Sequence, residues 1–383
     1  MRGAPLALAA AVTLVRFADE WAAFLPAGSL EPMRAHVGLS YAEAGAVLAA
    51  LPAGGLLGNV FIVAADHVSR RLIASLGALG YGLAMLAFGA AHSFEALFVA
   101  AFLWGAASDA FVHGAEVALV DLAGADLPLA LARMHGWAAA GDFLGPATIA
   151  AVSFAGLDWR WSFYLVGGGV IGYAAWLASQ RLPAPKRGEH RAHPLAAILD
   201  VLKDRRVLLL GLVLGLFGLL DEPLLGFLIA YLERARGLSG ALAMIVVGAI
   251  LAGQIGGYAA FEKLAGPTPG RRVAIGAALA IAAALPMAVF LPSLPLQALA
   301  GLAFGAAGSI FYTTLDAAVL GRRPGQTGAV TAVVGTIGMA DLGFPAVAGL
   351  LADAHGLAAA LALYAAVPAL VLALLIAGRS AVD

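Results

Sequence analysis

The sequence predicts an all-α polytopic membrane protein of twelve transmembrane helices, built as two six-helix pseudo-symmetric halves. Three observations predict it. At 62% hydrophobic and 12% charged residues, with a mean hydropathy of +0.94, a chain of 383 residues has too little polar surface to cover a soluble globule. Apolar runs near or above the ~20 residues that cross a bilayer as a helix recur along its whole length, without the alternation of a membrane barrel. The second half of the chain, finally, repeats features of the first.

The runs fall at 5–29, 42–65, 72–91, 95–120, 134–155 and 161–180, then at 207–231, 239–262, 273–291, 295–320, 327–352 and 356–377. The first follows Arg2 as a signal peptide would, but it is too long for one and carries an acidic pair at its centre. It is read as a retained span. Between the sixth and seventh runs lies the only long polar stretch, "QRLPAPKRGEHRAHPLAAILDVLKDRR" (Gln180 to Arg206), with an amphipathic helix expected near its end. The organisation read from this is an N-terminal half at 1–180, a cytoplasmic linker at 181–206 and a C-terminal half at 207–383. Most of the 22 basic residues then lie on the linker's side, while Arg34, Arg160, Arg234 and Arg236 lie opposite and Arg16 lies within a span. That bias places both termini in the cytoplasm and the chain in a bacterial-type inner membrane.

The repeat is specific in places. "GAASDAFVHGAEVALV" (Gly105 to Val120) aligns with "GAAGSIFYTTLDAAVL" (Gly305 to Leu320) at an offset of 200, setting Glu116 over Asp316. "GWAAAGDFLGP" (Gly136 to Pro146) aligns with "GTIGMADLGFP" (Gly335 to Pro345) at 199, setting Asp142 over Asp341 and Pro146 over Pro345. Each half also carries an adjacent acidic pair midway along its first span, Asp19 and Glu20 in one and Asp221 and Glu222 in the other. Parallel repeats of this kind are a transporter plan with the site at mid-depth.

On these features the chain resembles the major facilitator superfamily over essentially its whole length. The loop after span 2 reads "IVAADHVSRR", similar to the family's Gly-x-x-x-Asp-Arg-x-Gly-Arg-Arg signature. It keeps Asp66, Arg70 and Arg71, with Ile62, His67 and Ser69 at other signature positions. Its second-half counterpart, "FEKLAGPTPGRR", offers Glu262, Gly270, Arg271 and Arg272. The resemblance implies a cytoplasmic gate in these loops. Span 5 carries Gly141, Gly145 and Pro146, similar to the antiporter motif, with Ile149 and Ala150 where paired glycines would follow. Span 4 lacks the embedded Arg of the drug/proton antiporter branch.

Ionisable residues inside a bilayer are costly and normally face a partner or a wet cavity. Arg16 lies three and four residues before Asp19 and Glu20, on one helix face. It is either an intrahelical ion pair that lowers insertion cost or a group that holds one acid ionised while the other handles a proton or substrate. Its counterpart at an offset of 202 is Gly218. Adjacent residues point about 100° apart, so one acid of each pair is expected to face the site. Pro26 and Pro223 are expected to loosen the helix nearby. Asp109, His113 and Glu116 are spaced i, i+4, i+7, a strip suited to proton relay, to polar packing or, through Asp109 and His113, to a divalent metal. In the second half Ser309, Thr313 and Asp316 take these places. Asp142, Pro146, Asp341 and Pro345 are read as structural, the acids serving backbone groups freed by the prolines.

Such an acid-rich interior favours cations or protons. With zero Cys there are no disulfides or thiolate ligands. The chain has no phosphate-binding Gly-x-x-x-x-Gly-Lys loop, no His-Glu-x-x-His and no Gly-x-Ser-x-Gly, and its net charge of −1 suggests no nucleic-acid partner. The reading is therefore of a non-enzymatic, monomeric, proton-coupled transporter without cofactor or nucleotide, moving a small cationic or zwitterionic organic solute, more as an antiporting exporter than an importer. Divalent-metal export and lipid or lysolipid translocation are the alternatives.

Overall fold

The computed structural model describes residues 6–65, 69–123, 127–182, 194–264, 271–320, 322–323, 327–338 and 343–377, and all regular structure among them is helical. Contacts divide the chain into two compact units, Met1–Gly188 and Glu189–Asp383.

In the first unit, span 1 is formed by α1 (Leu6–Thr13) and α2 (Val15–Gly28), and α3 (Leu30–Val37) follows. Spans 2 to 6 are α4 (Tyr41–Ala65), α5 (Arg70–Ala90), α6 (Phe94–Ala123), α7 (Leu127–Phe154) and α8 (Arg160–Ser179). The bend in span 1 falls at Leu14, with helical hydrogen bonds continuing through it, rather than beside Pro26 as the sequence suggests. Its cause is local: the Thr13 hydroxyl donates back to the Ala9 carbonyl at 2.7 Å, a bond that bends helices. Pro26 sits in the last turn of α2, three residues before the turn at Ser29 that separates α2 from α3.

The second unit begins with the short α9 (Pro194–Val201) in the polar stretch. Span 7 is split into α10 (Arg205–Gly218) and α11 (Glu222–Arg234). Spans 8 to 10 are α12 (Gly240–Leu264), α13 (Arg271–Phe290) and α14 (Leu294–Leu320). Span 11 comprises α15 (Thr327–Gly338) and α16 (Phe344–His355), and span 12 is α17 (Leu357–Ala377). Among the described residues eight of these passages, spans 3, 4, 6 to 10 and 12, are long and apolar enough to cross a membrane by themselves.

Within each unit the second and fourth spans cross backbone against backbone. A methyl group added at Gly54 would collide with the Phe102 carbonyl, and one at Gly105 with the Leu51 carbonyl. The second unit repeats the crossing, with Gly253 against the Leu302 carbonyl and Gly305 against that of Ile250. Small residues that admit close backbone approach are how helices associate in lipid, where the hydrophobic effect gives no drive. The helical turns repeat too. Among the described residues four glycines have positive φ, Gly38 (80°) and Gly237 (66°) as one matched pair, Gly156 (68°) and Gly356 (87°) as the other. Each follows a helix end in the left-handed region that other residues avoid.

Candidate functional site: an acid-rich cluster around Arg16

The cluster is built by α2, α5, α6 and α7 of the first unit. The α7 helix approaches α2 so closely that a Cβ at Gly141 would lie 2.5 Å from the Phe17 carbonyl oxygen and 2.9 Å from the Trp21 nitrogen. A Cβ at Gly145 would lie 3.0 Å from the Trp21 carbonyl oxygen. Trp21 ties the two helices further, its indole Nε1 donating to Thr148 Oγ1 at 2.9 Å. Behind them Tyr81, Trp104 and Phe111 pack edge to face and are buried. This scaffold fixes how α2 presents its charges to α6.

Arg16 is the hub. Its Nε donates to Glu116 Oε1 at 2.7 Å, across to α6, while its Nη1 lies 3.7 Å from Asp19 Oδ2 and 3.8 Å from Glu20 Oε1. The intrahelical pairs foreseen from spacing are thus too long for hydrogen bonds, and the short contact is one that spacing did not suggest. Asp19 turns to α6, where Ser108 Oγ donates to its Oδ1 at 2.8 Å, and the Tyr81 hydroxyl donates to the Asp19 carbonyl at 3.1 Å. Glu20 faces α7 instead, its Cβ being 3.1 Å from where a side chain at Gly141 would begin. On α6, His113 Nδ1 lies 3.4 Å from the second oxygen of Glu116. Asp109 borders Gly55 of α4, so the strip divides between two neighbours.

One guanidinium therefore faces three carboxyl groups, and a histidine faces one of them. Among the described residues no three His, Asp or Glu side chains converge as a metal ion requires. Ser108 and Tyr81 escaped sequence reasoning; a lone serine beside Asp109 in an apolar helix was the one available signal.

The second unit arranges the matched residues differently. Asp221 stands just before α11 and is exposed, Glu222 is its half-buried first residue, and Pro223 occupies its first turn, where a missing N–H costs nothing. Ser309 donates to the Gln254 carbonyl at 2.9 Å and Thr313 to that of Ser309 at 2.7 Å, so both hydroxyls serve backbone. Asp316 is half-buried on α14. Of the structural pairs, Pro146 is buried within an unbroken α7, beside half-buried Asp142, whereas Pro345 is buried in the first turn of α16. Asp341 lies outside the described residues. In the gate loops Arg70 is buried, Arg271 half-buried, and Arg71 and Arg272 exposed. Asp66 and Gly270 lie outside the described residues, as does the Glu262 side chain. At the polar stretch, Arg323 clasps Asp200 at 2.6 Å and Asp204 at 3.1 Å.

A family model described as Major Facilitator Superfamily matches residues 9–340. The chain belongs to this superfamily. It is an integral membrane protein and a secondary transporter by family, as its helices and repeat led one to expect. Solved structures share the fold. The nucleoside transporter NupG aligns with a TM-score of 0.77 at 14% identity, covering 98% of each chain. The D-xylose-proton symporter gives 0.71 at 14% identity, covering 96% of each. An inward-facing bacterial homolog to the human lysosomal transporter Spinster gives 0.68 at 18% identity, covering 99% of this chain and 96% of that one. No curated protein matches the sequence.

Proposed function

We propose that this superfamily member is a proton-coupled transporter that exports a small cationic or zwitterionic organic solute in exchange for protons. The observation that carries the reading is the sharing of Arg16 among Asp19, Glu20 and Glu116, with His113 on the far oxygen of Glu116. One positive charge cannot balance three carboxylates. A proton on one of them, or a cationic solute beside them, supplies the missing charge, and the two compete for the same groups. That competition is the coupling an antiporter needs. His113 sets an imidazole nitrogen 3.4 Å from the far oxygen of Glu116, close enough for a proton to pass between them. The similarity to a proton symporter structure is compatible with proton use on this fold, and the span 5 glycines favour exchange over symport. In this reading the protein works as a monomer in a bacterial-type inner membrane, with both termini cytoplasmic, and draws on the proton gradient without nucleotide or cofactor.

The test uses purified protein in proteoliposomes loaded with a pH dye, challenged with organic cations, zwitterions and divalent metals. Solute-dependent proton flux that is lost in Glu116→Gln or Asp19→Asn is the expected result. Solute-induced thermal stabilisation with no proton flux for any solute would overturn the coupling.

A further inference from the structure

Span 7 enters its apolar run at Arg205 and Arg206, after a corner formed by the end of α9, residues Leu202 to Asp204 and the first turn of α10. The corner is held in place. The Leu202 N–H donates to the Ile198 carbonyl at 2.9 Å and the Asp204 N–H to the Val201 carbonyl at 2.9 Å, while Val201 is buried and α9 packs against α15. Its charges are sorted by sign. Residues 198–206 hold two acids and three bases, and both acids turn to one guanidinium. Arg323, just beyond α14, reaches Asp200 at 2.6 Å and Asp204 at 3.1 Å, and Asp204 also accepts from the Arg206 and Val207 N–H groups. Lys203, Arg205 and Arg206 are exposed. Beside them two leucines are exposed as well, Leu199 at 60% and Leu202 at 44%. Three residues apart on a helical turn, these leucines share a side.

We propose that this corner is a binding surface for anionic phospholipid, with Leu199 and Leu202 entering the boundary of the acyl layer and Lys203, Arg205 and Arg206 holding headgroup phosphate. The inference goes beyond transport and does not depend on which solute is carried. Position decides the partner. An apolar span starts at the edge of the hydrocarbon layer, so a corner fused to its first turn lies among headgroups, where an exposed leucine gains apolar contact instead of facing water. Charge decides which lipid. Basic residues directly outside a span attract anionic headgroups, provided that no acids alongside cancel them. Arg323 meets that condition by drawing Asp200 and Asp204 to itself, and four bases against two acids leave the corner positive.

The chain has no cysteine, so Leu199→Cys carrying an apolar fluorophore reports on this corner alone. The labelled full chain is placed in phosphatidylcholine bilayers with a minor fraction of phosphatidylglycerol, and the fluorophore is quenched by bromine on the acyl chains of one lipid or the other. At equal mole fraction of brominated lipid, phosphatidylglycerol is expected to quench as though enriched about three- to tenfold over phosphatidylcholine. Lys203→Gln/Arg205→Gln/Arg206→Gln should bring the two lipids to parity, and Lys203→Gln alone should remove part of the difference. Salt at about 1 M, where charges are screened within ~3 Å, should act on the unsubstituted corner as the triple variant does. No quenching by either lipid would place the corner in water or against protein and overturn the proposal. Equal quenching by both lipids before any charge is removed, or an enrichment that survives the triple variant, would overturn it too. Glycerol phosphate in the buffer is the last control: if it removes the enrichment where chloride of the same ionic strength does not, the corner binds soluble phosphate compounds and the lipid reading fails.

Discussion

Span 1 and span 7 occupy matched places in the repeat and carry the same acidic pair, yet the first runs helically through Asp19 and Glu20 while the second breaks just before Asp221 and Glu222. The difference traces to one residue. Arg16, tied at 2.7 Å to Glu116, supplies positive charge within the helix, whereas its counterpart Gly218 is the last residue of α10. The second pair sits at the start of α11, where the helix's first backbone N–H groups and its dipole favour negative charge. The two halves of one design thus present the same acidic pair in different settings, beside a guanidinium within a continuous helix in one and at a helix start in the other.

The comparison breaks most sharply at Arg16. Arg16→Gln leaves three carboxyl groups without their cation and is expected to cost about 3 kcal/mol or more, with loss of solute-driven flux. Thermal unfolding beside the double variant Arg16→Gln/Glu116→Gln checks it, since part of the loss should return when the partner charge is also removed. Close helix contact comes next. Gly141→Val drives a side chain into the backbone of Phe17 and Trp21 and should lower stability by about 1–3 kcal/mol, whereas Gly335→Val, with open space around it, should be nearly neutral in the same melt. A smaller effect on stability comes at Asp19: Asp19→Asn keeps an oxygen for Ser108 and should melt close to wild type, while it loses solute-driven proton flux.

The smallest effect lies at the polar stretch. Partial burial disfavours the Asp204 carboxylate, but hydrogen bonds from Arg323 and from the Arg206 and Val207 N–H groups outweigh it and hold the carboxyl below its ordinary value. A depressed folded pKa gives stability that is present at neutral pH and is lost as pH falls through that pKa. Arg323→Gln should therefore flatten the acid limb of a stability–pH curve below about pH 4 and change little at pH 7, in keeping with an exposed pair.

The helices were legible because hydropathy and length decide what crosses a bilayer, and the twelve passages lie where the apolar runs lie. Breaks and bends were not. Pro26 invited a bend that a threonine hydroxyl produces about three turns earlier in the helix, at Leu14. Charge positions revealed which residues need partners but not which partners they find. Spacing along span 1 pointed Arg16 at its own helix, while the pairing with Glu116 joins residues 100 apart in sequence. The opposite-side basic residues also find a physical reason only in three dimensions. Arg160 donates to the Ala91 carbonyl and Arg236 to the Leu291 and Pro292 carbonyls, so each pins the matched turn of its own unit.

The paired left-handed glycines have a consequence for anyone mapping this protein by mutation. Gly38, Gly156, Gly237 and Gly356 have nothing within 4 Å of an added Cβ, so by packing each looks free to change. Backbone geometry opposes it, at roughly 1–2 kcal/mol for most side chains and less for Asn and Asp. In a saturation screen these four turns would score as intolerant beside the residues around Arg16, and their partial tolerance of Asn and Asp, whatever the charge, would tell a scaffold position from a chemical one.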